Sequence, residues 1–292
     1  MKIGIYGRSF DGSFITNIQE LFDTLDSFGW EVVIYQPFRS YLAPRINLAG
    51  SEAVFNKYHD IKDKIDVLIS IGGDGTFLET INIVRDTGIP ILGVNTGRLG
   101  FLASTYKENI LEVLNDIKDG NYRLQTRSML NLITEDGLFG EDNFALNELT
   151  VHKKDSSSMI TIHTYIGDLY LNSYWADGLI IATPTGSTAY SLSCGGPIMV
   201  PGAKDYVITP IAPHNLNVRP VVVPDDRTIR LKIEGRGREY LCSLDSRSVT
   251  IDSATELIIK RADFELNVIQ TQNQNFLNTI RNKMMWGLDR RN

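Results

Sequence analysis

A glycine-rich run at residues 71–76, reading Ile-Gly-Gly-Asp-Gly-Thr, holds the residue types that most directly suggest chemistry. Glycines let a backbone approach a ligand closely, and a helix that begins there offers unpaired N–H groups to a phosphate. The run lacks the Gly-Lys-Ser/Thr of a Walker A loop, and Leu78 stands where a dinucleotide-binding loop needs its third glycine. The run therefore indicates a phosphate site of a different kind.

The acidic residue in this run, Asp74, has two interpretations. A carboxylate repels phosphates unless a metal bridges the charges or the carboxylate takes up a proton. General-base catalysis on a substrate hydroxyl meets the second condition and contributes about 10²–10⁴-fold in rate. Alternatively, Asp74 caps a helix that starts at Thr76, which is a common role for aspartate. The spacing alone does not choose between the base and the cap.

Two further runs have polar groups suited to a neutral, hydroxyl-rich ligand. Asn147 and Glu148 together supply donors and acceptors for a diol or an amide, although they also fit an ordinary exposed strand end. Residues 183–193 supply hydroxyls and open backbone, and Tyr190 adds an aromatic wall with a polar tip. The same run is compatible with a buried turn between strands. The four histidines have no metal-ligand spacing, so no structural metal site is predicted.

Strands and helices alternate through the first part of the chain and must position the glycine run. Hydrophobic patterning predicts strands at residues 3–6, 30–35, 65–71 and 89–94, and helices at 14–28, 53–64 (weakly), 76–86 and 108–120. The last helix ends at a glycine C-cap. This rhythm predicts a parallel sheet covered by helices, an α/β domain over residues 1–124.

After about residue 122 the pattern becomes β-rich. Short strands are predicted at residues 129–134, 144–152, 159–166, 168–175, 179–182, 228–233, 240–244, 249–252 and 256–261. They predict an all-β, sandwich-like domain over residues 125–271. Residues 276–289 turn helical again, and we expect the tail 272–292 to pack back on the first domain, with the ligand site in the cleft between the two.

The composition and charge of the chain argue against some classes of binding partner. The chain has 292 residues and a net charge of −6, and its pI of about 5.3 argues against nucleic acid or an anionic membrane as the main partner. The N-terminus lacks the apolar core of a signal peptide, and two cysteines in a chain of this length fit a reducing cytoplasm. Residues 178–203 carry no charge and are interrupted by prolines and glycines, so they predict a buried site or subunit interface rather than a membrane span.

Taken together, these runs resemble the ATP-NAD kinase family. The loop at 72–76 is shared with a wider superfamily that includes lipid kinases, but three other segments are specific: residues 95–102, the Asn147–Glu148 pair, and residues 177–193 followed by Gly-Gly-Pro at 195–197. The resemblance spans both predicted domains in order. It implies a cytoplasmic enzyme, commonly a tetramer or dimer of identical chains, that uses ATP to phosphorylate the 2′-hydroxyl of the adenosine ribose of NAD.

The resemblance also implies roles for individual residues. Asp74 would accept the proton of the ribose hydroxyl, Asn147 and Glu148 would hold ribose or amide donors, and Asp177 would lie near the nicotinamide. The residues that it assigns to ligand binding are Asp74, Gly75, Phe101, Asn147, Glu148, Asp177, Thr185, Thr188, Ala189, Tyr190, Ser191, Leu192, Ser193 and Ala212. The glycine run contains no Lys or Arg, so we expect Mg²⁺ to arrive with the ATP.

Two positions depart from the family pattern. The family often has Asp-Gly-Gln near the end of the β-rich part, where this chain has Asp245-Ser246-Arg247. The resemblance therefore assigns no ligand-binding role to these three residues. Many relatives carry a polar or basic residue two positions before Asp177, where this chain has Trp175. His214, between two prolines, is a further residue of interest.

The sequence is also compatible with two other functions. A lipid kinase of the same superfamily would be expected to present a basic or apolar membrane-facing surface, which the acidic pI disfavours. A non-catalytic dinucleotide sensor would have no need of a base among glycines, which disfavours it as long as Asp74 is that base.

Overall fold

The structure, a computed structural model, describes residues 1–10, 12–48, 50, 52–97, 100–154, 158–237, 239–271 and 274–286. The strands are β1 (Lys2–Gly7), β2 (Glu31–Tyr35), β3 (Ala53–Phe55), β4 (Val67–Gly72), β5 (Ile91–Asn95), β6 (Thr105–Tyr106), β7 (Tyr122–Arg127), β8 (Leu130–Ile133), β9 (Phe144–Ala145), β10 (Glu148–Lys153), β11 (Ile160–Ile166), β12 (Leu169–Ala176), β13 (Gly178–Ala182), β14 (Asp205–Ile211), β15 (Val221–Pro224), β16 (Ile229–Gly235), β17 (Tyr240–Leu244), β18 (Arg247–Ile251), β19 (Leu257–Arg261) and β20 (Leu266–Thr271). The helices are α1 (Ile15–Ser27), α2 (Gln36–Leu42), α3 (Tyr58–Ile61), α4 (Asp74–Val84), α5 (Ile110–Asp119), α6 (Tyr190–Ser193) and α7 (Phe276–Met284). Among the described residues, no helix has the length and apolar character needed to span a membrane.

Two compact units make up the chain. The first combines Met1–Thr126 with Leu266–Asn292, and the second is Arg127–Glu265. The first unit is built on an eight-stranded sheet in the order β3-β2-β1-β4-β5-β20-β7, with β6 beside β5. The pairs from β3 to β20 are parallel. This confirms the predicted parallel sheet for β2, β1, β4 and β5, whereas β3 and β20 were not predicted. The middle strands are buried along almost their whole length because helices cover parallel sheets on both faces.

Helix periodicity explains which faces the first unit buries. In α1, Ile18, Leu21 and Leu25 recur at helical spacing and are completely buried. Each such side chain contributes about 1.5–3 kcal/mol through burial. Helix α5 ends at Gly120, whose φ of 73° is the left-handed conformation of the predicted C-cap.

Some elements of the first unit differ from the prediction. The weak helix at 53–64 is wrong: Ala53–Phe55 extends the sheet beside β2, and only Tyr58–Ile61 is helical. The reason is that Val54 and Phe55 suit a pleated edge, and the polar residues that follow bury too little to sustain a longer helix. Helix α2 was not predicted; a proline in its first turn starts it directly after β2.

The second unit is a sandwich of two six-stranded sheets, ordered β15-β14-β13-β10-β17-β18 and β12-β11-β16-β19-β8-β9. The pairs are antiparallel. Side chains from both sheets meet in one core, with Leu149 and Ile181 from the first and Ile162 and Leu231 from the second. This confirms the predicted all-β, sandwich-like architecture.

Long-range pairing accounts for the elements that local patterns missed. Strands β14 and β15 were not predicted, and the predicted strand at 144–152 is two strands, β9 and β10, interrupted at residues 146–147. Strand β20 returns to pair with β5 of the parallel sheet. The tail helix is confirmed as α7, and Phe276 packs on Phe101 at 6.5 Å between ring centroids. Residues 287–289 of the predicted helix lie outside the described residues.

Candidate active site

The glycine run lies at the carboxyl edge of the parallel sheet, where β4 ends and α4 begins. A methyl group built on Gly72 would lie 2.3 Å from the hydroxyl oxygen of Thr76, so only glycine fits the turn there. Methyl groups built on Gly73 or Gly75 would meet no atom within 4 Å. The backbone of 73–75 therefore faces open space, and it is free for a ligand to approach closely.

The carboxylate of Asp74 is held by the backbone of a different segment. Oδ2 accepts the N–H of Phe101 at 2.9 Å, and Oδ1 accepts the N–H groups of Leu102 and Ala103 at 3.0 Å each. The N-cap of α4 is Gly73, Asp74 is the first helical residue, and no side chain caps the helix. The cap interpretation is thus wrong, because the carboxylate points across to the loop after β5 rather than back to its own helix.

The Asp74 carboxylate can still accept a hydrogen bond from a ligand. A carboxylate oxygen accepts about two hydrogen bonds, so Oδ1 is filled by Leu102 and Ala103, while Oδ2 receives a single bond from the described residues. A methyl group built on the buried Gly100 would lie 1.8 Å from Oδ1. Oδ2 is therefore an oriented acceptor with one site open for a donor, and Gly100 makes room for this orientation.

Phe101 is fixed by its neighbours. Its N–H is bound by Asp74, its ring packs against Phe276 of α7, and the ammonium of Lys283 lies 4.9 Å from the ring centroid. The ring remains partly exposed. In the family-like segment at 95–102, residues 98 and 99 lie outside the described residues.

In the second unit, the Asn147–Glu148 pair is held by another aspartate. The carboxylate of Asp245 accepts the N–H groups of Leu146, Asn147 and Glu148 at 2.9, 2.8 and 3.1 Å. Asp245 occupies the two-residue turn between β17 and β18 with a φ of 51°. The arrangement repeats that of Asp74, because one carboxylate orders three consecutive backbone N–H groups. Local patterns could not reveal this contact across almost 100 residues; the position of Asp245 in the family motif was the available signal.

The side chain of Glu148 is half-buried, and one of its carboxyl oxygens, Oε2, has no hydrogen-bond partner among the described residues. Burial, followed by the negative charge of Asp245, raises the pKa of Glu148 to about 8. Burial also raises the pKa of Asp245, but its three N–H bonds oppose that shift and favour its carboxylate. With this pKa Glu148 holds a proton at neutral pH, and its Oε2 can accept a hydrogen bond from a ligand.

The charge-free run at 183–193 packs directly on Asn147. Thr183 donates its N–H to the Asn147 carbonyl at 2.9 Å, and a methyl group built on Gly186 would lie 2.1 Å from that same oxygen. The hydroxyls of Ser187 and Ser191 are buried, and Ser191 bonds Thr209 at 2.8 Å. These contacts explain why the run lacks charge.

The predicted binding residues of this run differ in exposure. Thr185 and Ser191 are buried, Thr188, Ala189 and Leu192 are half-buried, and Tyr190 and Ser193 are exposed. Whether each contacts a ligand stays a prediction.

Asp177 lies at the other end of β10 from Glu148. Its carboxylate forms a 2.5 Å ion pair with Lys153, and its N–H bonds the carbonyl of Ile211. Directly after Ile211, Ala212 has a φ of 45°, a conformation that costs a non-glycine residue about 1–3 kcal/mol. Burial and then the charges of Cys194 and Asp177 raise the pKa of Tyr190. Through its pairing with Lys153, Asp177 lies roughly 17 Å along β10 from Glu148, at about 3.3 Å per residue.

Both departures from the family pattern have structural partners. Arg247 donates to the carbonyls of Asp142 and Phe144 and stacks over the Phe144 ring at 5.2 Å. Trp175 is half exposed and contacts the ring of His214 at 5.3 Å. Trp175, Asp177 and His214 share an open groove of ≈ 830 Å³.

Comparison with known proteins supports a family assignment. The model of the ATP-NAD kinase N-terminal domain matches residues 49–122, and that of the ATP-NAD kinase C-terminal domain matches residues 146–271. The chain is 48% identical to an NAD kinase of Flavobacterium psychrophilum and 44% identical to one of Bacteroides fragilis, each over the full length of both chains.

Solved structures share the fold at lower identity. A yeast NADH kinase complexed with NADH matches with a TM-score of 0.88 at 22% identity, covering 98% of this chain and 88% of its own. An NAD kinase from Archaeoglobus fulgidus in complex with ATP matches with a TM-score of 0.75 at 23% identity, covering 98% of this chain and 99% of its own.

Proposed function

This chain belongs to the ATP-NAD kinase family, and we infer that it transfers the γ-phosphoryl group of ATP to the 2′-hydroxyl of the adenosine ribose of NAD. The products are NADP, ADP and a proton. The observation that carries the mechanism is the Asp74 carboxylate, which three N–H groups orient beside open glycine backbone.

In this mechanism Asp74 is the general base. The open acceptor site of Oδ2 receives the hydrogen bond of the ribose hydroxyl and takes its proton as the oxygen attacks the γ-phosphorus. A positioned base of this kind contributes about 10²–10⁴-fold. The N–H groups of residues 101–103 keep the carboxylate in place without supplying a proton themselves. The absence of a side chain at Gly75 lets the substrate approach the protein backbone closely. Phe101 provides an apolar wall for the adenine.

The second unit supplies binding groups suited to an extended dinucleotide. Asn147 and Glu148 take ribose or amide donors, and Asp177 with Ala212 takes the nicotinamide side. The separation of these two neighbourhoods along β10, roughly 17 Å, favours an elongated ligand over a compact one. We assign the adenosine pocket to Thr185, Thr188, Ala189, Tyr190, Ser191, Leu192 and Ser193.

The phosphoryl donor is ATP carrying Mg²⁺ as part of the substrate. The glycine run contains no Lys or Arg, so the metal ion carried by the donor would supply the charge neutralisation that phosphoryl transfer needs. We further propose that the enzyme works in the cytoplasm as a dimer or tetramer.

An assay of which molecule accepts the phosphoryl group distinguishes a NAD kinase from a lipid kinase and from a non-catalytic sensor. The purified protein is incubated with MgATP and either NAD or dispersed diacylglycerol, and NADP is followed with an NADP-specific dehydrogenase. We expect NADP to accumulate and the lipid to remain unmodified. Tight NAD binding without any NADP would favour the sensor, and phosphorylated lipid would favour the lipid kinase.

The Glu148 carboxyl makes NAD binding pH-dependent. With a pKa of about 8 it holds a proton at neutral pH, whereas its carboxylate is the stronger acceptor for NAD donors. We expect the KM for NAD to fall as pH rises from 7 to 9, by at most about tenfold per pH unit for a single proton. In Glu148→Gln this dependence should be lost, as measured by initial rates at varied NAD.

Glu239→Gln is the matched control because Glu239 is an exposed partner of Lys154. It should keep the wild-type pH profile of the KM for NAD.

The stability of the fold is a second measurement that depends on Glu148. Between about pH 4.5 and pH 8 the folded state keeps the Glu148 proton, whereas the unfolded state releases it. Stability should thus decline over this range in the wild type and less so in Glu148→Gln. Identical KM profiles for wild type and Glu148→Gln would contradict the role assigned to this carboxyl.

A further inference from the structure

Arg8 lies beside the glycine run although it is far from it in sequence. In the parallel pairing of β1 with β4, Gly7 is opposite Ile71, so Arg8 follows β1 at the level where β4 passes into the run. Strand ends of a parallel sheet meet at one edge, and ligands bind at that edge. The side chain is 60% exposed, which leaves it accessible to a ligand.

A carboxylate on α4 orients this arginine. Glu79 Oε2 accepts Nε of Arg8 at 2.7 Å and the hydroxyl of Tyr6 at 3.0 Å. Burial, and then the charge of Glu79, raise the pKa of Tyr6, so its hydroxyl remains a donor. Glu79 is four residues after Gly75, and helical side chains lean toward the N-terminus of their helix. The guanidinium is therefore held at the level of the first turn of α4.

The ion pair with Glu79 leaves most of the guanidinium unused. Glu79 engages Nε, so Nη1 and Nη2 lie outside this ion pair, and the Tyr6 hydroxyl is the other side-chain group close to the guanidinium. Two parallel N–H donors at fixed geometry match two oxygens of a phosphate. An ordinary surface ion pair contributes little and needs no second anchor, whereas here Tyr6 and Arg8 converge on one carboxylate.

Arg8 and Asp74 flank the run on opposite sides. In the sheet order β1-β4-β5, Arg8 follows β1, while the carboxylate of Asp74 is bound to the segment after β5. In an in-line phosphoryl transfer, the attacking and leaving oxygens also lie on opposite sides of the transferred group. If Asp74 faces the attacking hydroxyl, the β1 side faces the leaving group.

We propose that Arg8 binds the β- and γ-phosphate oxygens of the donor ATP and stabilises the charge that develops on the leaving ADP. During transfer the 2′-oxygen forms a bond to the γ-phosphorus, and its proton passes to Asp74. The bond from the γ-phosphorus to the β,γ-bridging oxygen breaks, and ADP departs with that electron pair. The inference rests on the proposed kinase function and assigns to the protein a cation that the glycine run itself lacks.

The test measures the KM values for ATP and NAD separately in Arg8→Gln. We expect the KM for ATP to rise about 10–100-fold, as for the loss of a charge-assisted phosphate contact, and the KM for NAD to stay within about twofold. Arg8→Lys should lie between wild type and Arg8→Gln, because it keeps the charge but loses the paired donors. Inorganic tripolyphosphate, as a competitor against ATP, should lose potency in Arg8→Gln in parallel.

Arg227→Gln is the matched control, since Arg227 is an exposed arginine paired with the neighbouring Asp226. It should leave both KM values unchanged. A wild-type protein that makes no NADP would overturn the proposed function. An active wild type with an unchanged KM for ATP in Arg8→Gln would overturn this inference alone. A rise in the KM for NAD without one for ATP would assign Arg8 to the dinucleotide's pyrophosphate and equally contradict the proposal.

Discussion

Replacing Asp74 by asparagine is expected to lower kcat for NADP formation by about 10²–10⁴-fold, the contribution of a positioned general base. Asparagine keeps the size of the side chain but cannot take the proton of the 2′-hydroxyl. Its amide oxygen can still accept the N–H groups of Leu102 and Ala103, whereas its NH₂ group must face the N–H of Phe101. That mismatch costs about 1–3 kcal/mol, so thermal unfolding is measured together with initial rates.

Asp60→Asn is the matched control for Asp74→Asn. Asp60 also accepts two backbone N–H groups, from Asn56 and Lys57, at the start of a helix in the same unit. It should lose stability without losing turnover at saturating substrates. If Asp74→Asn kept wild-type kcat, Asp74 would have no part in proton transfer, although the substrate assignment would stand.

Gly100→Ala is expected to lower kcat by about 100-fold although it replaces no side chain that is assigned to substrate contact. The added methyl would lie 1.8 Å from Oδ1 of Asp74, far inside contact distance. The carboxylate must move or the 101–103 segment must shift, and a displacement of about 1 Å at a reacting group costs about 10²-fold. The effect should appear in kcat, measured at saturating NAD and ATP, more than in the KM for NAD, because the groups assigned to NAD binding in the second unit are unchanged.

Gly97→Ala provides the comparison within the same segment. A methyl group there meets no atom within 4 Å, so turnover should remain near that of the wild type. Equal turnover of Gly100→Ala and Gly97→Ala would show that the orientation of the Asp74 carboxylate does not limit the reaction.

Local periodicity was sufficient where an element is defined by its own residues. Helix α1 follows from the spacing of Ile18, Leu21 and Leu25, and the buried strand before the glycine run follows from its apolar residues at 67–69 and 71. It failed at residues 53–64, where an edge strand and a single helical turn replace the predicted helix. There the pairing with β2 adds to the strand preference of Val54 and Phe55, and the helical spacing of the segment does not reveal that pairing.

At the candidate site, too, the sequence predicted the local residues but not their long-range contacts. The sequence identified Asp74 and the Asn147–Glu148 pair, but not what holds them. The partners of Asp74 lie 27–29 residues away, and those of Asp245 lie 97–99 residues away. The exclusion of a helix cap depended on these contacts, because the spacing along one helix does not show a hydrogen-bond partner in another segment, and the catalytic-base role stays a prediction.

We expect this chain to move a phosphoryl group from ATP to the 2′-oxygen of NAD, and phosphorus NMR of the reaction products can show it. The spectrum distinguishes a phosphate monoester on the adenosine ribose from unchanged pyrophosphate. The expected result is one new 2′-phosphate monoester for every ADP formed. Formation of ADP without a phosphorylated dinucleotide, or a monoester on another oxygen of NAD, would contradict this function.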